Sequence, residues 1–137
     1  MRVFVDANIF MYAVGAAHPY KAPSIQLLER IAADEMEAVN NAEALQELLY
    51  RYWSINRLQE GLALCEQALR VIPTILPVGA SDVLVAKQLL AEHRTIEPRD
   101  AIHAAVMLNH GITHLYSYDR HFDKIPGLKR LEPGLNR

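Results

Sequence analysis

Apolar residues in the last third of the chain first recur at helical spacing and then alternate. In residues 97–123, EPRDAIHAAVMLNHGITHLYSYDRHFD, the apolar positions up to Leu108 cover so much of the helical circumference that we expect a largely buried helix. Pro98 suits the first helical position, and Gly111 suits the turn that ends the helix. The alternating residues 114–118 then predict a short strand.

This helix–turn–strand unit places two acids together. A helix that leads through a tight turn into a strand runs antiparallel to that strand. Asp100 in the first helical turn and Asp119 just after the strand should therefore lie at the same edge of the fold, although nineteen positions separate them.

The rest of the chain alternates between strand and helix patterns. Further helices are predicted at residues 9–14, 23–33, 41–53, 58–70 and 80–93, and further strands at 2–5, 36–39, 71–78 and 128–131. Pro73 and Pro77 make the 71–78 strand an edge strand, and Asn40 with Glu43 has the spacing of a capping box. We therefore expect a single α/β domain over 1–137, with a mostly parallel central sheet flanked by helices on both faces.

Ligands of parallel sheets bind outside the carboxyl ends of the strands, which is where several acids are expected. Asp6 lies at the end of the first strand, and Asp119 lies at the end of the fourth. Asp100, Glu43 and Glu47 lie near the N-termini of helices that begin at the same edge. Each acid also has a purely structural explanation, because Asp6 could cap a helix, Asp119 a turn, and Asp100 could interact with a helix dipole. The capping box is sufficient to explain Glu43.

Glu47 is ambiguous when it is considered alone. It could pair with Arg51 one helical turn later, and the helical wheel places it away from the leucine face. A solvated side chain is therefore as good an explanation as a functional one.

Several carboxylates in one partly buried cleft would repel one another, so a cation is expected among them. Oxygen ligands favour Mg²⁺ or Mn²⁺, which activate water and bind phosphates. The expected chemistry is phosphodiester hydrolysis. No covalent nucleophile is evident, since Cys65 lies within a helix. The histidines at 103, 110, 114 and 121 do not form a zinc site with carboxylate or cysteine partners.

Composition limits the class of protein further. With 51% hydrophobic and 22% charged residues, the chain of 137 residues is ordinary globular material. A net charge of −2 argues against a generally basic nucleic-acid binder, so a polyanion must be met by a local basic patch or by metal ions. No apolar run approaches the ~20 residues of a membrane span, the N-terminus lacks a signal-peptide layout, and the single Cys65 fits a reducing cytoplasm.

Three segments together resemble the PIN-domain nucleases, and most of all the VapC-type toxins of toxin–antitoxin pairs. The segments are VFVDANIF, ALQELLYRY and EPRDAIHAAVMLNHGITHLYSYDRHF, in the family's order and spacing. The resemblance implies a metal-dependent endoribonuclease, a small antitoxin protein that blocks its site, and a homodimer.

The resemblance also implies roles for individual residues. By position, the metal-binding and catalytic acids are Asp6, Glu47, Asp100 and Asp119. The resemblance also implies three auxiliary residues. Asn8 would orient Asp6 or the phosphate, Ser117 would form a hydrogen bond at the site, and Asp123 would reach a second metal through water.

Basic and aromatic residues near these motifs could bind RNA. Arg51, Arg57, Arg99 and Arg120 could contact the RNA backbone, and Tyr50, Tyr52 and Trp53 could stack on bases. The alternative is that the arginines are solvated and that Tyr52 and Trp53 make core or dimer contacts.

Three functions remain open at this point. The first is a toxin-type ribonuclease, the second a PIN-fold nuclease of RNA processing or DNA that has no antitoxin, and the third a non-catalytic interaction domain. A haloacid-dehalogenase-like phosphatase would need a second Asp where Asn8 stands.

Overall fold

The computed structural model describes residues 2–134, so Met1 and residues 135–137 of the predicted domain lie outside the described residues. The strands are β1 (Arg2–Val5), β2 (Glu37–Asn41), β3 (Ile75–Leu76), β4 (His114–Tyr116) and β5 (Lys129–Leu131). The helices are α1 (Ala7–Val14), α2 (Lys21–Ala32), α3 (Ala42–Ser54), α4 (Leu58–Val71), α5 (Ala80–Glu92) and α6 (Pro98–Asn109), followed by a 3₁₀ helix at Arg120–Lys124.

All five strands are parallel and lie in the order β3-β2-β1-β4-β5. This confirms the predicted α/β class and the edge position of the proline-flanked strand, β3. None of the helices within residues 2–134 is long and apolar enough to cross a membrane.

The central strand β1 is covered on both faces. Val3, Phe4 and Val5 are all buried, and successive side chains of a strand point to opposite faces. The predicted buried helix is α6, in which all residues from 103 to 107 are buried. It begins at Pro98 as predicted, and Gly111 follows it with a φ of 67°, a left-handed conformation that favours glycine.

The carboxyl ends of β1 and β4 lie side by side. Val5 is in register with Tyr116, and the backbone N–H of Asp6 donates to the Tyr116 carbonyl oxygen at 3.0 Å. The residues that follow these two strands, Asp6 and Ser117, therefore begin from neighbouring backbone positions.

The N-cap of α3 was predicted one residue too early. Asn41 is the cap, and its Oδ1 accepts from the Ala44 N–H at 2.8 Å. Asn40 instead belongs to β2, where its Nδ2 donates to the Val5 carbonyl oxygen at 2.6 Å. Because the cap moves by one position, Glu43 is only the second helical residue and the predicted capping box is wrong.

Several other boundaries also differ from the sequence pattern, and the predicted strand 71–78 is reduced to Ile75–Leu76 because Val71 still belongs to α4. The helix α2 starts at Lys21, so Pro23 is its third residue, which the first turn tolerates because those N–H groups lack helical partners. The strand β4 ends at Tyr116, two residues earlier than predicted. Its last predicted position, Tyr118, turns its backbone N–H to the Asn8 side chain.

The close contact of α3 with α4 gives a test of the packing. A Cβ added at Gly61 would lie 2.7 Å from the Tyr52 Cβ, an atom that cannot move without the backbone. Gly61→Ala should lower the free energy of unfolding by about 1–2 kcal/mol, because overpacking outweighs the gain in helix propensity. Thermal unfolding measures this. Gln59→Ala on the exposed side of the same helix is the control, and a more stable Gly61→Ala variant would contradict the packing.

Candidate functional site

Four acids from four separate segments line one cleft at the carboxyl edge of the sheet. Asp6 follows β1, Glu47 lies in α3, Asp100 lies in the first turn of α6, and Asp119 follows β4. All four line a cleft of about 300 Å³, and Glu97, which pairs with Arg99, lines it as well. The structure therefore brings together the four acids that the sequence selected, whose catalytic role stays a prediction.

Asp6 is both a helix cap and a member of this cleft. Its Oδ1 accepts from the Ala7 N–H at 2.7 Å, and its Oδ2 accepts from the Ser117 hydroxyl at 2.6 Å. Burial raises the pKa of Asp6, and the nearby Glu47 carboxylate raises it further, while His103 and these hydrogen bonds oppose the rise. The capping explanation and the functional one are thus compatible.

Asp100 and Asp119 form a tightly interacting pair. Burial raises the pKa of Asp100 to about 9, and a hydrogen bond to Asp119 and repulsion by Asp119, Asp6 and Glu47 act in the same direction. The pKa of Asp119 is lowered despite its partial burial, because Asp100 and the His121 N–H donate hydrogen bonds to it. Without a cation, the pair thus holds a proton on the Asp100 side.

Ser117 and Asn8 connect these acids. The Ser117 Oγ donates to Asp6, and it accepts from the Asp119 backbone N–H at 3.0 Å and from the Asn8 Nδ2 at 3.3 Å. Both residues therefore lie where an auxiliary role is possible, and that role stays a prediction.

Asp123 is placed differently. Its carboxylate is 51% exposed and pairs with Arg130, whose Nε lies 2.9 Å from the Asp123 Oδ1. Among residues 2–134, the cleft lining does not include it. This arrangement favours a structural role for Asp123, whose ion pair with Arg130 of β5 connects the 3₁₀ helix to that strand.

The sequence pattern did not place His103 at the site. This residue of α6 is fully buried, with its Nε2 2.5 Å from the Glu47 Oε1 and 3.8 Å from the Asp6 Oδ1. Burial lowers the pKa of His103, but the hydrogen bond to Glu47 and the charges of Asp6 and Glu47 outweigh it and raise the pKa overall. Glu47 makes this contact and not the pair with Arg51 that was one explanation of it. The spacing of Asp100 and His103 on one helical face was the available signal.

Two groups of side chains, each made of acids of this cleft and a neighbouring histidine, could hold a metal ion. In each group, the potential ligand atoms lie within 4.8 Å of one another: Asp6, Glu47 and His103, and Asp100, Asp119 and His121. Two of the four histidines that the sequence did not combine with carboxylates into a zinc set, His103 and His121, therefore do lie in such groups. Asp100 Oδ2 is buried and, within residues 2–134, has no hydrogen-bond partner. A buried oxygen without a partner beside other carboxylates fits a hard cation.

Two of the predicted RNA-binding arginines lie at the cleft. Arg51 and Arg99 line it together with Tyr50, whereas Arg120 is not among its lining residues within 2–134. Tyr52 is buried, as the core explanation predicts. Trp53 is 62% exposed and so is not a core residue.

The model of the PIN domain family matches residues 3–128. The chain belongs to the PIN-domain family. Ribonuclease VapC13 of Mycobacterium tuberculosis is 42% identical over 129 residues, which cover 94% of this chain and 98% of the relative. The resemblance drawn from the sequence is thereby confirmed.

Two solved structures have the same PIN fold at lower identity. VapBC2 from Rickettsia felis, bound to a DNA fragment from its promoter, has a TM-score of 0.74 at 18% identity and covers 96% of this chain and 98% of that one. VapC20 of Mycobacterium tuberculosis, described as a toxin that cleaves the sarcin–ricin loop, has a TM-score of 0.71 at 20% identity and covers 88% and 92%.

The raised pKa of Asp100 predicts how stability depends on pH. In the metal-free protein the folded state keeps a proton on Asp100 up to about pH 9, whereas the unfolded chain releases it near pH 3.9. Since the folded state binds more protons between these values, this group makes the protein less stable as the pH rises. Asp100→Asn removes the effect, so in EDTA the variant should melt about 3 °C or more above the wild type at pH 8, with a smaller difference at pH 5.

The control is Glu66→Gln on α4, since the Glu66 side chain is 73% exposed. It should follow the wild type at both pH values. If wild type and Asp100→Asn lose stability equally between pH 5 and pH 8, Asp100 is not the group that holds the proton.

Proposed function

We propose that this protein is a metal-dependent endoribonuclease that hydrolyses RNA phosphodiester bonds as the toxin of a toxin–antitoxin pair. The observation that carries the proposal is the convergence of four carboxylates in one cleft, where one buried oxygen lacks a partner. Membership of the PIN-domain family and the relative at 42% identity that is named a ribonuclease support it.

The metal we propose is Mg²⁺ or Mn²⁺, held by Asp6, Glu47, Asp100 and Asp119. Carboxylate oxygens are the ligands that these hard cations prefer, and His103 and His121 stand beside them without displacing them. Once bound, the ion supplies Lewis-acid chemistry, because it lowers the pKa of a bound water and neutralises phosphate charge.

The residues around the acids would prepare the cleft for a phosphate. Asn8 and Ser117 hold Asp6 and the Asp119 backbone in fixed relative positions through the shared Ser117 hydroxyl. Arg51 and Arg99 would attract the RNA backbone at the cleft, which offsets the repulsion between phosphates and acids.

The proposed partners are RNA, a small antitoxin protein and a second copy of the chain, all in the cytoplasm. Structural neighbours such as the toxin–antitoxin complex from Klebsiella pneumoniae support the antitoxin. The homodimer rests on the family resemblance. Exposed apolar side chains on α3 and α4, including Trp53 and Leu62, offer it a surface.

Cleavage of a mixed RNA pool tests the reaction. Wild-type protein should cut RNA with Mg²⁺ or Mn²⁺ and stop in EDTA, and Asp100→Asn should lose activity by about 10²-fold or more, because the variant keeps the size of the side chain but not the charge. Glu66→Gln should cut like the wild type. Products are resolved on sequencing gels.

The other outcomes separate the alternatives. Equal cutting by wild type and Asp100→Asn would mean a contaminant or a wrong site. If folded wild type neither cuts RNA nor binds either metal, the chain is an interaction domain. Metal-dependent cutting by a protein whose neighbouring reading frames encode no inhibitor would favour an RNA-processing nuclease.

The two arginines in the cleft give a second prediction. Arg51→Gln and Arg99→Gln should each raise KM for RNA and make cleavage less sensitive to salt, because each removes one phosphate contact. Arg70→Gln on α4 is the matched control, since its side chain is 76% exposed and pairs only loosely with Glu66. Unchanged KM and salt dependence in both cleft variants would show that these arginines are merely solvated.

A further inference from the structure

A continuous line of buried polar side chains joins the cap of α3 to the acidic cleft. Asn41 Nδ2 lies 2.9 Å from His103 Nδ1, and His103 Nε2 lies 2.5 Å from Glu47 Oε1. Asn41 and His103 are both fully buried, and the imidazole packs on Phe4 with ring centroids 5.0 Å apart. Solvent therefore does not compete for these hydrogen bonds.

The helix cap determines which atom of Asn41 faces the histidine. The Asn41 Oδ1 accepts from the Ala44 N–H at 2.8 Å, so the amide nitrogen must be the atom beside His103. An amide nitrogen only donates. His103 Nδ1 must then accept, which means that it carries a lone pair and not a proton.

The ring nitrogens of a neutral histidine have opposite roles, so the second one is determined as well. With Nδ1 accepting, the proton resides on Nε2 and is donated to Glu47 Oε1. The charged ring also has a proton on Nε2. The direction of donation to Glu47 is therefore the same in both charge states.

We propose that His103 is a positioning residue that orients Glu47 through an Nε2–H donor, and that Asn41 sets this direction. The proximity of Asp6, Glu47 and His103 would then not mark His103 as a metal ligand, since a protonated nitrogen has no lone pair to offer. The hydrogen bond occupies Glu47 Oε1 and leaves Oε2 for the cleft. This deepens the proposed function, on which the role of Glu47 rests.

The first test is the protonation pattern of His103 in the metal-free protein without RNA, so it is independent of whether the protein cuts RNA. Long-range ¹H–¹⁵N spectra report each ring nitrogen, and the signals that His103→Gln lacks identify this residue among the six histidines. We expect a proton on Nε2 in every charge state, and a bare Nδ1 wherever the ring is neutral. The same pattern should persist when the site is saturated with Mg²⁺.

Two results would overturn the proposal. One is a proton on Nδ1 with a bare Nε2 in the metal-free protein. The other is loss of the Nε2 proton on addition of Mg²⁺, which would make His103 a ligand. Asn41→Asp checks the cause, because its carboxylate can still cap α3 but would place an acceptor against Nδ1. It should therefore protonate Nδ1, and an unchanged ring would show that Asn41 does not set the direction.

A matched pair of variants tests positioning against simple core packing. The amide nitrogen of His103→Gln can reach the Nε2 position, whereas His103→Asn has the same amide on a side chain one methylene shorter. Calorimetric titration should give a Mg²⁺ affinity for His103→Gln within about threefold of the wild type, and a loss of about tenfold or more for His103→Asn. If both variants fold and lose affinity equally, the role is structural only and the proposal fails.

Discussion

Mutual repulsion among four carboxylates in one small cleft is the constraint around which this structure is organised. The acids that are held in place accept hydrogen bonds from a backbone N–H, a hydroxyl or an imidazole of the protein. Asp6 has Ala7 and Ser117, and Glu47 has His103. Asp100 has a buried oxygen for which residues 2–134 supply no partner, and its burial, together with repulsion by the neighbouring acids, raises its pKa.

The parallel sheet explains why the acids meet at all. In parallel strands every carboxyl end lies at one edge, and the helices that follow these strands begin there. Asp6 caps the first helix and accepts from the Ala7 N–H, so the positive N-terminal end of that helix lies at one of the crowded carboxylates. The same geometry that crowds the acids thus supplies part of the compensation.

This geometry also decides what the sequence could reveal. Asp6, Asp100 and Asp119 could be predicted because each lies at the end of an element with a clear pattern. The helical pattern left Glu47 open, since a helical wheel records only the apolar face and does not show a polar contact between helices, and only the family resemblance selected it. The spacing of His103 from Asp100 could place it on the same helical face, but its contact with Glu47, 56 residues away along the chain, could not be predicted.

The hydrogen bond between Glu47 of α3 and His103 of α6 is best explained by the acids of the cleft. An apolar side chain at position 103 would pack well against Phe4, but it would leave Asp6 and Glu47 partly buried with one donor fewer. An uncompensated buried charge costs more than a hydrogen-bonded polar pair contributes. Packing alone would therefore favour an apolar residue here, and the histidine is required because two carboxylates must lie within reach of it.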